Sequence, residues 1–154
     1  MKATTNVGDL VTIPNCSISI GGKLITFKIM PDIGDSKGAK YGGDEGIGRS
    51  SPIPIYNNSD ARKISIDIHF ITLKQADLKK NREDLWAIMS GVYPNPGQNG
   101  APYRPPTICK LKCGQLFGKA GVCAVLENYS VKYPPDVPWD KTTMMPYKFD
   151  VTTS

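Results

Sequence analysis

The chain has 154 residues with 40% hydrophobic and 21% charged side chains, which is the size and balance of one folded domain and excludes a wholly disordered polymer. Its net charge of +5 is spread thinly: Lys79 and Lys80 sit beside Asp77, Glu83 and Asp84, and no five like charges run together, so the charge reads as a solvated surface and not as a nucleic-acid patch. Residues 1–9 carry no signal-peptide core and no stretch approaches 18 apolar residues, so neither the usual secretory route nor membrane insertion is expected. The four cysteines are accordingly expected as reduced thiols.

With 15 Gly and 13 Pro, the chain should form short elements divided by turns. Residues 11–13 and 16–20 read as strands, the second alternating Cys16, Ile18 and Ile20 with serines. Gly21-Gly22 supplies the positive φ values of a primed turn, and residues 23–30 return as the second half of a hairpin. Residues 31–60 then hold six scattered glycines among polar residues. Such a segment has too little apolar area to order itself, and it is expected to be a long mobile loop.

Residues 62–71 form the strongest strand, with Ile64, Ile66, Ile68 and Phe70 on one face and Ser65, Asp67 and His69 on the other. The period then changes. Leu78, Leu85, Ile88, Met89 and Val92 fall on one side of a helix over 74–91, which ends at a Gly91 cap ahead of Pro94 and Pro96. A Pro/Gly-rich connection over 93–106 leads to a strand over 107–115, a hairpin end over 116–121 and a second strand over 122–132. Residues 133–145 make a Pro-rich loop, and Tyr147, Phe149, Val151 and Thr153 mark a last alternating strand.

Few residues qualify for chemistry. Cys109, Cys113, Cys123 and Cys16 are the only candidate ligand set, but Cys109 and Cys113 share a strand face about 13 Å apart, at roughly 3.3 Å per residue, too far for one tetrahedral ion. His69 is the lone histidine; Asp67 on the same face could orient it, but no nucleophile is evident. The glycine cluster from Gly43 to Arg49 lacks the following Lys-Ser/Thr and helix of a phosphate loop. Asp32, Asp35, Asp44 and Glu45 lack the alternating spacing of a calcium loop. Trp86 and Trp139, each without a neighbouring aromatic or carboxylate set, read as packing or interface anchors. No catalytic residue, metal ligand or cofactor site is expected, and the elements read as a mainly β chain with one helix.

The order of elements, together with Arg104-Pro105-Pro106-Thr107-Ile108, Gly114-Gln115-Leu116-Phe117-Gly118, residues 122–125 and residues 129–133, resembles the tail-tube fold of contractile phages and related injection machines. Those proteins similarly show a Pro-Pro-led strand, a glycine turn, a second strand and a later strand after a loop. The resemblance spans residues 10–153 of a single domain over 1–154, and it departs from a plain tube subunit in its prolines and cysteines. It implies an antiparallel β-sandwich or half-barrel with one flanking helix, in a non-enzymatic virion protein assembled in the host cytoplasm. It further implies six copies in a ring, contact with other tube or baseplate proteins, and DNA passing through the lumen without sequence-specific binding. On this reading the 31–60 loop is ordered by neighbouring subunits. A β-rich module for host-surface carbohydrate or peptidoglycan is the second reading, and a small hydrolase using His69 or a cysteine the third.

Overall fold

The computed structural model of the chain describes residues 15–44, 47, 48, 50–97 and 102–154. The strand expected over 11–13 lies outside the described residues, as do Glu45, Gly46 and Arg49 of the glycine cluster. Two four-stranded antiparallel sheets and one helix make up the body. The first sheet begins with β1 (Cys16–Ile20) and β2 (Lys23–Thr26). Gly21 and Gly22 between them adopt φ values of +56° and +87°, the primed turn that favours glycine.

On the other side of β1 the chain later adds the two strands that complete this sheet, after six strands and the helix have intervened. β3 (Asp32–Ser36), β4 (Ala39–Asp44) and β5 (Ile53–Ser59) occupy the segment expected as a loop, so that expectation is corrected. The reason is that β3 pairs with β6 (Lys63–Ile71), and β4 pairs with β5 in nearly the same register just beyond, through a shift at Lys40/Tyr41. A backbone ladder needs no apolar side chains, so polar alternation did not prevent strand formation. β6 itself buries Ile66, Ile68 and Phe70, as the period of two requires.

The helix α1 (Gln75–Ser90) follows β6 and buries Leu78, Leu85 and Ile88. Asp77 accepts a hydrogen bond from the Lys74 backbone N–H at 3.0 Å, closing the first turn. The Lys28 ammonium 2.6 Å away and that backbone donor together hold the Asp77 carboxyl below its ordinary range. At the far end the Gly91 N–H donates to the carbonyls of Ala87 and Ile88. Gly91 keeps right-handed dihedrals, so the cap is a continuation of the turn and not the left-handed form.

The Pro/Gly-rich connection contains a small ladder of β7 (Asn95–Pro96) and β8 (Tyr103–Arg104). β9 (Cys109–Cys113) then pairs with β1, burying Cys109, Leu111 and Cys113 while Lys110 and Lys112 face out. β10 (Val122–Ala124) pairs with β9 and completes the sheet order β10-β9-β1-β2. The single strand expected over 122–132 is in fact two. The Glu127 N–H donates to the Ser154 carbonyl, and the chain crosses to the second sheet as β11 (Tyr129–Lys132). With β12 (Lys148–Thr153) that sheet has the order β11-β12-β6-β3.

Both sheets and the helix share one core. Ile18, Ile20, Ile25 and Leu111 from the first sheet meet Ile66, Ile68, Phe149 and Val151 from the second, with Leu85 and Ile88 from α1. Phe70 and Phe149 stack with centroids 4.9 Å apart. Among the described residues neither sheet closes into a barrel. The fold is therefore mainly β and antiparallel, with a single described helix, as the sequence pattern requires.

Cys16 and Cys113 are joined in a disulfide, against the expectation of four reduced thiols. They are direct partners in the β1–β9 register, so the ladder brings together two residues 97 apart in sequence. Cys109 and Cys123 are free.

Candidate assembly surface

The β4–β5 pair leaves the body as an arm. Among the described residues its strands bond only to each other, and six residues of β4 at about 3.3 Å each carry it roughly 20 Å past the end of the β3–β6 ladder. Every residue of β5 is exposed. Tyr41 and Tyr56 are cross-strand partners on one face, ring edge toward ring face at 5.8 Å, and remain 62% and 55% exposed. Ile53 and Ile55 project from alternate positions of β5 and keep 48% and 52% of their surface in water. An isolated two-stranded ribbon is marginal in water, and this one shows apolar groups on both faces.

The root of the arm is pinned by charge. Arg62 donates from Nε to Asp35 at 2.9 Å and from Nη2 to the other carboxylate oxygen, while its guanidinium lies 5.5 Å from the Phe117 ring centre. The Arg62 hydrogen bonds hold the Asp35 carboxyl below its ordinary value of 3.8. One step outward, the Asp60 N–H donates to the Gly38 carbonyl at 2.9 Å, and the Lys40 ammonium stands 3.0 Å from the Asp60 carboxylate. These pairs fix where the ribbon departs, although such exposed ion pairs each add little to overall stability.

The residues weighed for chemistry are scattered by the fold. His69 sits between strands, its Nδ1 2.7 Å from Asp150 and its Nε2 3.9 Å from Asp32. Its carboxylate partner is thus on β12, the strand paired at that register, and not Asp67 on its own strand. No Ser, Thr or Cys side chain bonds to it among the described residues, so no nucleophile relay is assembled. Cys109 is buried and its thiol is pushed up by desolvation, while Cys123 is exposed on β10. Among the described residues no group of His, Cys, Asp and Glu could hold a metal ion. Asp32 turns toward His69 and Asp35 is taken by Arg62, so those acids do not converge. Gly43 and Asp44 belong to β4 rather than to a phosphate loop.

Both tryptophans are exposed, so neither anchors the core. Arg82 covers the Trp86 ring at 5.0 Å. Trp139 has Tyr133 at 6.1 Å, correcting its expected isolation; Pro146 closes a bridge to it and Asp140 caps the turn through the Thr143 N–H and hydroxyl. No described helix is long and apolar enough to cross a membrane. No protein-family model matches the chain, and no curated protein matches it.

Proposed function

We propose that the protein is a structural, non-enzymatic component of a phage-type tail, forming or initiating the inner tube or baseplate hub by ring assembly so that DNA can pass. The observation that carries this reading is the β4–β5 arm: an ordered ribbon that leaves the body with exposed apolar side chains on both faces, which no other described element covers. A neighbouring copy at a fixed rotation would cover it. Among the described residues the outer strands of both sheets, β2, β10, β3 and β11, also keep one unpaired rim each, which closed rings remove by joining copy to copy. The resemblance in element order to tail-tube proteins supplies the specific class, six copies, and tube or baseplate proteins as further partners. Negative-stain imaging of concentrated protein tests it: closed rings, stacked or single, are expected, and a uniform monomer overturns the reading.

A second reading has one observation in its favour. The exposed Tyr133–Trp139 pair beside Asp140 is the kind of aromatic surface on which a β-rich module stacks sugar rings. Titration with soluble peptidoglycan fragments, compared with Trp139→Ala, decides it: saturable binding lost in the variant supports this module.

A further inference from the structure

An apolar cleft of about 420 Å³ opens between the two sheets at the β10 side. Its walls include Ile18, Ile64, Ile66, Leu111, Val122 and Leu126, and Arg62 and Lys63 edge it. Protein interiors pack as densely as organic crystals, and voids wider than a water molecule are few. A cavity of about 150 Å³ with aliphatic walls stays dry and accepts a benzene-sized group, so this cleft has room for two or three side chains of that size.

The same molecule carries side chains of that size with about half of their surface still in water. Ile53 and Ile55 form a ridge on the arm, and Gly42, the partner of Ile55 across the ribbon, adds no side chain to thicken it. The arm's own cleft is out of its reach: Ala61 and Arg62 at the root already line that cleft, and β5, exposed at every residue, shows that the ribbon does not fold back.

We infer that Ile53 and Ile55 of one copy seat in the inter-sheet cleft of the next. The inference rests on the self-assembly reading and names the receptor for the arm. Ridge and cleft are different patches of one surface, so the contact is heterologous and propagates from copy to copy until it closes a ring or continues as a filament.

Cys123, exposed and lining the cleft, is a native reporter of the contact. The full-length Ile55→Cys variant is treated with diamide, which takes the two thiol hydrogens as the sulfurs join. Disulfide-linked oligomers are expected, with peptide mapping joining β5 of one copy to β10 of another. Cys123→Ser in the same background should abolish them, and Leu73→Cys, at an exposed site away from the arm, should not form them. As a second arm, Val122→Trp fills the cleft and should weaken association of the otherwise native chain at least tenfold. Rings that form without the β5–β10 bond, and that tolerate Val122→Trp, overturn the inference while leaving self-assembly intact. A chain that never associates removes both.

Discussion

The double substitution Ile53→Ser/Ile55→Ser strikes the arm without touching the core. Full burial of one such side chain stabilises by about 1.5–3 kcal/mol. The two chains are 48% and 52% exposed, so each still has about half of that to gain on contact. Removing both should therefore weaken each arm contact by roughly 1.5–3 kcal/mol, or 10- to 150-fold in the association constant. The fold should hardly notice. Exposed substitutions away from the core shift stability within about 0.5 kcal/mol, a change of roughly 2 °C or less in Tm for a domain of this length. Mass photometry or sedimentation velocity over a concentration series reads the first effect, and thermal unfolding at a dilution where both proteins are monomeric reads the second. An association midpoint within twofold of the parent, with Tm also unchanged, would refute the assignment of the arm as an assembly element.

Three further outcomes follow from the geometry. Phe149→Ala removes a ring that is 1% exposed and stacked on Phe70, and should lower unfolding stability by about 3–5 kcal/mol in urea titration; a loss under about 1 kcal/mol would contradict the shared core. The Asp35 carboxyl is held below 3.8 in the folded chain, so its contribution is present above that pH and lost as pH falls through the lower folded value. Hydrogen exchange at Gly34–Ser36 should thus accelerate on acidification beyond its intrinsic pH dependence, and Asp35→Asn should remove that extra acceleration; an equal response in both proteins would show that the Arg62 clamp does not set it. For the cysteines, Ellman titration of unreduced protein should find one fast thiol in the native state, Cys123, and two after denaturation, with four only after reduction; four without reductant would contradict the Cys16–Cys113 link.

Much of the body was legible because short-range physics dictates it. Gly21-Gly22 forces the β1–β2 turn, the isoleucine period of two sets β6, and the change to helical spacing at Leu78 and Leu85 announces α1. The arm was not legible for an equally physical reason. Its order comes from a ladder continued from β3 and β6, and hydrogen bonds between backbones leave no apolar trace in Gly42, Gly43 or Asn57. The Ile53-Pro-Ile55-Tyr56 run was the available signal, since β-branched and aromatic residues at alternate positions favour a strand even when every side chain is exposed. The break between β10 and β11 turns on a long-range bond from Glu127 to Ser154, and the Cys16–Cys113 pairing on a register between strands nearly a hundred residues apart. The cleft, made from both sheets at once, has no linear signature at all.

Hydrogen–deuterium exchange of the β4–β5 amides, measured at nanomolar and at high micromolar protein, tests most directly whether neighbours complete this chain. Fast exchange is expected along the arm in the dilute monomer, with marked slowing as copies associate, while core strands such as β6 and β12 stay protected throughout. Arm amides that exchange at one rate across the whole range, in protein that has demonstrably assembled, would contradict it.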